Sequence, residues 1–150
     1  MEIHYGLRLP REIETVPIVR DLCRTALTQL GVEEACVHDV ALALTEACAN
    51  VVEHAEGTDD DYEVRLQVDN ERCDIRVVDT GRGFDADDLH DSEMPDTHAE
   101  RGRGIQLMKA LVDQVTFVSV PEKGTIVHFQ KDLALVEGSP LHSLRIRPKS

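Results

Sequence analysis

"YEVRLQVDNERCDIRVVD", residues 62–79, is the segment that decides the fold of this chain. Apolar residues alternate with polar ones in both of its halves, at Tyr62, Val64, Leu66 and Val68 and then at Cys73, Ile75 and Val77. This period of two is typical of strands that bury one face, and a short polar turn separates the two halves. The segment therefore predicts a hairpin that ends on Asp79.

Related patterns extend outward from this hairpin in both directions. Strand-like alternation covers residues 3–9, helical spacing covers 15–30, 32–54 and the residues from 105, and a second hairpin occupies 115–129. Strands and helices in this order favour an α+β fold built as a two-layer α/β sandwich. We expect a mixed, mostly antiparallel sheet of about five strands, with three main helices on one face.

Two segments lack these patterns. Residues 85–100 contain seven acidic residues and few apolar ones, which indicates a long surface loop. From Glu137 the chain passes a Gly-Ser-Pro break and becomes basic. We therefore expect one domain over residues 1–136 and a flexible tail over 137–150.

Composition limits the classes of partner. The formal net charge of -13 argues against direct binding to nucleic acid or to anionic lipid. No apolar run in the sequence approaches the roughly 20 residues that span a bilayer, so we expect no membrane contact. The four cysteines are scattered without a CxxC pair, which favours reduced thiols and a cytoplasmic location. Small molecules and proteins are the expected partners.

Three polar residues interrupt the apolar pattern of the second helix. Glu46, Asn50 and His54 are spaced by four and therefore share one face, beside the apolar stripe. Such a row is either a solvated face or the wall of a cleft. In a cleft, the Glu46 carboxylate is suited to deprotonating a hydroxyl nucleophile. The amide oxygen of Asn50 is suited to binding Mg²⁺ together with substrate phosphates.

The central hairpin runs into Asp79, Thr80, Gly81, Arg82 and Gly83. A carboxylate at the end of a strand is suited to accept a hydrogen bond from an exocyclic amine such as that of adenine. Gly81 and Gly83 let the backbone approach a flat ring or a phosphate. An ordinary turn explains the same residues equally well, because Asp and Gly are common in turns.

"RGRGIQLM", residues 101–108, is a third polar motif. Gly102 and Gly104 precede a helical pattern, so free N–H groups at the helix start are available to phosphate oxygens. Arg101 and Arg103 add positive charge suited to anions. A glycine-rich hinge before a helix is the plainer interpretation of these residues.

Taken in order, four motifs resemble the N, G1, G2 and G3 boxes of the GHKL, or Bergerat-fold, ATPases. They are "TEACANVVEHA", "DTGRGF", "RGRGIQLM" and "KGT", the last of which by itself is only a hairpin turn. The resemblance covers about residues 3–133. The pattern E-A-x-x-N-x-x-x-H and the short chain are most similar to the stand-alone anti-sigma-factor serine/threonine-protein kinases.

The resemblance implies a role for each matching residue. Glu46 would be the general base that activates the attacking hydroxyl, Asn50 would coordinate Mg²⁺, and Asp79 would bind the adenine amine. The other matching positions would surround the nucleotide: Gly81 and Gly83 at its floor, Gly102, Arg103 and Gly104 over its phosphates, Thr125 near the adenine, and residues 85–101 as the ATP lid.

The resemblance also implies a function and partners. The chain would be a serine/threonine-protein kinase that uses ATP and Mg²⁺, acts as an anti-sigma factor on a sigma factor, and phosphorylates a STAS-type anti-anti-sigma protein. Two alternatives stay open. One is a non-catalytic, ATP-responsive module that sequesters a sigma factor or another regulator, and the other is the separated catalytic domain of a sensor histidine kinase. Members of this family are often dimers, so a homodimer is one expected assembly.

Overall fold

The computed structural model describes residues 2–54, 61–79, 99–120 and 124–145. Within those ranges the chain forms five strands, four α-helices and one short 3-10 helix. In chain order they are β1 (Ile3–Pro10), the 3-10 helix η1 (Ile13–Thr15), α1 (Val16–Gln29), α2 (Glu34–His54), β2 (Asp61–Val68), β3 (Arg72–Asp79), α3 (Ala99–Leu111), β4 (Gln114–Val120), β5 (Gly124–Asp132) and α4 (Pro140–Arg145).

The predicted α+β sandwich is confirmed, and its sheet has the strand order β1-β2-β3-β5-β4. The central hairpin forms as expected, with Val68 opposite Cys73 near the turn and Tyr62 opposite Asp79 at the far end. The prediction of a mixed sheet is wrong for the described strands, because all of their pairings are antiparallel. Strands β3 and β4 run parallel to each other, but β5 lies between them and runs opposite to both.

Helix α2 supplies much of the core. Its predicted apolar stripe is buried, and Val40, Leu44, Ala47, Cys48 and Val51 are each at most 1% exposed. The helix packs against α1, α3, β3 and β5. One face of β2 and of β3 is buried, as their alternating sequence predicts.

Among the described helices, α2 alone is long and apolar enough to cross a membrane, judged by length and composition. Half of that stretch is buried inside the fold. Burial of this kind is typical of the core helix of a globular domain, so packing explains its apolar character.

The cysteines are free thiols, as predicted. Cys23, Cys48 and Cys73 are buried, and burial raises the pKa of the Cys23 thiol to about 12. Such a thiol stays protonated at neutral pH and is a poor nucleophile. These three residues therefore belong to the core and not to a reactive site.

Helix α3 begins earlier than the sequence predicts. The glycines favour a start after Gly104, but the helix begins at Ala99, so Gly102 and Gly104 both lie inside it. Glycine weakens a helix by about 1 kcal/mol relative to alanine, and tertiary packing can outweigh that cost. Helix α3 packs against α2 and buries Ile105 and Met108, so packing overrides the local preference here.

The segment after β5 packs onto the domain. Ser139 and Leu141 are each 1% exposed, and the Ser139 hydroxyl donates a hydrogen bond of 2.5 Å to the carbonyl of Leu30. Gly31, between α1 and α2, has a φ of +78°, and a Cβ there would lie 2.7 Å from the Cβ of Ser139. The prediction of a flexible tail from residue 137 is therefore wrong for Ser139 and Leu141. The absent side chain of Gly31 makes room for Ser139, and Leu141 joins the apolar core.

Leu141→Ala should lower the free energy of unfolding by about 2–3 kcal/mol, because truncating a buried leucine leaves a cavity. Urea unfolding of the full chain measures this change. Val136→Ala is the matched control, since Val136 lies in the same segment and is 42% exposed. Equal effects of the two substitutions would show that the segment after β5 is not packed.

The open face of the sheet carries a polar cluster on β3 and β5. Asp74 accepts hydrogen bonds from His128 Nε2 at 2.9 Å and from Gln130 Nε2 at 2.7 Å. Burial alone would raise the pKa of Asp74, but these hydrogen bonds outweigh it and hold that pKa below its ordinary value. A carboxylate whose pKa is lowered by folding stabilises the fold above its unfolded pKa. That stabilisation is lost as the pH falls through the folded pKa.

Asp74→Asn should therefore lower the free energy of unfolding by about 1 kcal/mol at neutral pH. The difference from the unsubstituted chain should shrink once the pH falls below about 4, where the unfolded carboxyl becomes protonated. Urea unfolding in a pH series checks both points. Asp21→Asn is the control, because the Asp21 side chain is 66% exposed and pairs only at the surface, with Arg20 at 3.1 Å. A difference that stays constant across the series would contradict the linkage to Asp74.

Candidate functional site

Two polar residues of α2 face α3. Glu46 and Asn50 lie about one turn apart on α2, and Gly104 of α3 approaches both. A Cβ added at Gly104 would lie 3.0 Å from Glu46 Oε2 and 3.6 Å from Asn50 Nδ2. A side chain at position 104 would displace the Glu46 carboxylate, so glycine leaves room for that carboxylate where it lies.

Asn50 is 5% exposed, and its amide nitrogen has no hydrogen-bond partner within the described ranges. A buried polar group without a partner costs about 1–3 kcal/mol, so its presence in the core helix points to a ligand. The amide oxygen is a ligand type that suits Mg²⁺, and the amide nitrogen can donate to a phosphate oxygen. Asn50, with Glu46 beside it, therefore fits a magnesium-bound phosphate group.

A second polar cluster lies at the end of β3. Asp79, the last residue of that strand, is 0% exposed. Arg11 Nη1 lies 3.8 Å from Asp79 Oδ2, which makes an ion pair. Gly124 has a φ of +120°, and a Cβ there would lie 3.2 Å from the same oxygen. The carboxylate is thus contacted by a cation and closely approached by a glycine backbone.

Thr125 lies beside this carboxylate. Val78 pairs with Ile126 across β3 and β5, so the next residues along the two strands, Asp79 and Thr125, are neighbours. Thr125 is 1% exposed, as expected for a residue on the helix-covered face. The structure thus brings Thr125 next to Asp79.

Helix α2 links the two clusters. It packs against α3, which contains Gly104, and against β3 and β5, which carry Asp79 and Thr125. Glu46, Asn50 and Asp79 therefore lie on the same helix-covered side of the sheet.

The other predicted positions are only partly described. Gly81, Gly83 and most of the predicted lid lie outside the described residues. Gly102 and Arg103 lie in the first turns of α3. Gly102 is the fourth residue of α3, whereas Gly104 lies further into the helix and acts through its missing side chain.

Sequence reasoning misses Arg11 and treats Gly124 only as a turn residue. Arg11 directly follows the first strand, and the pairing of the strands brings the end of that strand near Asp79. Leu9 pairs with Tyr62, and Tyr62 pairs with Asp79. The sequence does show one basic residue, Arg11, directly after the first strand. That residue indicates a partner for Asp79 only once the first strand is known to pair with the central hairpin.

A depression of about 710 Å³ lies on the open face of the sheet. Its lining includes Glu63, Arg65, Asp74 and Arg76, and none of the predicted site residues. Because Asn50 and Asp79 are buried on the opposite, helix-covered side, we place the candidate site there.

Several known proteins are similar to this chain in sequence or in fold. Residues 9–131 match the family model of the histidine kinase-like ATPase domain. The chain is 32% identical to a serine-protein kinase RsbW of Bacillus pumilus over 120 residues, which cover 73% of this chain and 74% of that protein. A serine-protein kinase RsbW of Bacillus cereus is 26% identical over 147 residues, which cover 90% and 91% of the two chains. A crystal structure of the RsbU and RsbW domains of a Mycobacterium tuberculosis protein matches with a TM-score of 0.66 and 21% identity, covers 87% of this chain and 32% of that one, and shows the same fold.

Asn50→Ala should leave the ligand-free chain as stable as before or raise its melting temperature by a few degrees. Alanine is the better helix former by about 0.7 kcal/mol, and the substitution removes an amide nitrogen without a described partner. Thermal unfolding without nucleotide measures this. Thr45→Ala on the same helix is the matched comparison, because it makes a similar gain in helix propensity at a residue whose hydroxyl does have a partner, the Ala41 carbonyl at 2.8 Å. A clear loss of stability in Asn50→Ala would show that Asn50 serves folding.

Proposed function

This chain belongs to the histidine kinase-like ATPase domain family, and we propose that it is a serine/threonine-protein kinase that uses Mg·ATP. In this proposal it acts as an anti-sigma factor, which holds a sigma factor and phosphorylates a STAS-type anti-anti-sigma protein. Relatives that match most of this chain carry the name serine-protein kinase, which supports the activity. The free thiols of the core support a location in the reducing cytoplasm.

The observation that carries the proposal is the convergence of Glu46, Asn50 and Gly104. Transfer of a phosphoryl group to a hydroxyl needs a base near the hydroxyl proton and groups that fix the phosphates. Glu46 would accept the proton of the attacking serine or threonine hydroxyl on a carboxylate oxygen. Gly104 leaves that carboxylate in place, because any larger residue would press on its Oε2.

Bound Mg·ATP supplies the phosphoryl group and a cation that balances the phosphate charge. The residues of the chain would position the metal and the phosphates. Asn50 would bind the metal through its amide oxygen and donate its amide N–H to a phosphate oxygen. Gly102 and Arg103, in the first turns of α3, would close over the phosphates.

Asp79 would bind the base. An ionised carboxylate offers acceptors only, so it suits the amino group of adenine and disfavours the carbonyl oxygen of guanine at the same ring position. Gly124 and Thr125 lie beside it and would form part of the adenine pocket. Gly81 and Gly83 would complete the floor of that pocket.

Glu46→Gln should lower the rate of phosphoryl transfer by at least about 100-fold, because a general base typically contributes about 10²–10⁴-fold. Affinity for ATP should change little, since glutamine keeps the size of the side chain. Transfer of labelled phosphate from ATP to anti-anti-sigma proteins measures the rate, and calorimetry measures the affinity. Glu34→Gln is the matched control, because it removes the same charge at the exposed start of α2.

Two other outcomes would contradict parts of this proposal. An unchanged transfer rate in Glu46→Gln would exclude Glu46 as the base. A stable complex between the unsubstituted chain and a sigma factor, with ATP bound and no phosphate transferred to any anti-anti-sigma protein, would identify a non-catalytic sequestering module.

A further inference from the structure

We propose that Arg11 positions the Asp79 carboxylate for adenine and thereby determines the base specificity of this chain. The inference rests on the proposed function, in which Asp79 binds the adenine amine. Arg11 acts through Asp79 and contacts neither the base nor the phosphates, so it is a positioning residue.

Arg11 reaches Asp79 across an intervening strand. Leu9 pairs with Tyr62 and Tyr62 pairs with Asp79, so β2 separates β1 from β3. Two strand spacings amount to about 10 Å, a separation that the long side chain of an arginine can bridge to an aspartate. Arg11 is two residues beyond Leu9 and directly follows the end of β1 at Pro10. Its Nη1 there comes within 3.8 Å of Asp79 Oδ2.

Burial distinguishes this ion pair from the others near it. The Asp79 side chain is 0% exposed and that of Arg11 is 18% exposed. A carboxylate removed from water requires a counter-charge or hydrogen bonds. The Arg11 guanidinium therefore offsets part of the free-energy cost of burying Asp79. Arg8 and Glu63 provide the contrast: they approach to 3.5 Å, but the Arg8 side chain is 64% exposed and such a pair contributes little.

Hydrogen bonds hold the backbone around Arg11. The Thr15 hydroxyl donates to the Glu12 carbonyl at 2.6 Å and shares another hydrogen bond of 2.6 Å with the Tyr62 hydroxyl. Thr15 and Tyr62 are both buried, so these bonds are shielded from water. These bonds tie the turn after Arg11 to Tyr62 of the central hairpin, so they restrict the backbone from which the Arg11 side chain extends.

The position of the carboxylate determines what it can bind. Oδ2 of Asp79 lies near the guanidinium of Arg11 and the backbone of Gly124, which restricts rotation of the carboxylate. The plane of a carboxylate sets the direction from which it accepts a hydrogen bond. Without Arg11 the contact with the adenine amine should weaken, while phosphate binding by Asn50 and Gly102 should persist.

Calorimetry on the full chain tests this with two ligands, ADP and the purine ribonucleoside diphosphate that lacks the 6-amino group. Arg11→Met keeps most of the side-chain bulk and removes the charge. It should weaken ADP binding about tenfold, the effect of partly losing one hydrogen bond to a charged group. Binding of the ligand without the amine should change by less than about twofold, because that ligand makes no such bond. Arg8→Met removes a charge from β1, three residues before Arg11, and should change neither affinity.

Folding of each variant is checked by thermal unfolding. If Arg11→Met does not fold, Arg11→Lys replaces it, because lysine keeps the charge but lacks the planar donor group of arginine. Its loss of affinity should again be confined to ADP. In the Asp79→Asn background, substitution of Arg11 should weaken ADP binding no further, since both residues act on one contact.

Equal weakening of both ligands would overturn the proposal, because Arg11 would then act on the ribose or the phosphates. An unchanged affinity for ADP in both Arg11 variants would overturn it too. Failure of the proposed function has a different signature in the unsubstituted chain. That chain would bind neither ligand, or it would bind the two with equal affinity, and the role of Arg11 would fall with its premise.

Discussion

The packing of α2 against the sheet and against α1 and α3 is the constraint on which the rest of the structure depends. Val40, Leu44 and Val51 are at most 1% exposed, so the rotation of the helix about its axis is determined by burial. A spacing of four residues then places Glu46 and Asn50 in one row beside that apolar stripe. Any rotation that moved this row would expose apolar side chains, so the core that stabilises the domain also sets the geometry of the site.

The burial of Asp79 at the end of β3 is the second constraint on the structure. It connects the site to Arg11, which directly follows β1. Asp79 is 0% exposed, and a carboxylate in that environment depends on what surrounds it. Arg11 lies 3.8 Å away, and Gly124 approaches with a positive φ that favours glycine. The residue after β1 and the first residue of β5 therefore both contribute to the position of one carboxylate on the central hairpin.

Local periodicity predicts the helices and strands of this fold. The features that it does not predict depend on tertiary contacts. Alternation and helical spacing are properties of neighbouring residues, so the central hairpin and α2 are readable from sequence. The start of α3 is misplaced because helix packing outweighs the low helix propensity of Gly102 and Gly104. The packing of Ser139 is missed because it depends on Gly31, far away in the chain.

In the candidate site, too, local sequence patterns predict some residues, and tertiary contacts are needed to identify others. Glu46 and Asn50 are predicted from their spacing on one helix, and Asp79 from its place at the end of a strand. Arg11 is not found, because only the pairing of β1 with β2 and of β2 with β3 brings it to Asp79. Gly81 and Gly83 stay predictions, since they lie outside the described residues.

The burial of Asn50 decides between the two interpretations of the polar row on α2. A solvated face would leave its amide in water, yet the residue is 5% exposed. Its amide nitrogen has no described partner, Gly104 replaces a better helix former against Glu46, and the Asp79 carboxyl group has no exposure to solvent. Each of these features is unfavourable for folding on its own, and all three lie on one side of the sheet. A magnesium nucleotide would satisfy them together, with phosphate oxygens for the amide, space beside the glycine and an amine for the carboxylate. Folding alone would require three separate explanations, so a nucleotide site is the more economical account of this sequence.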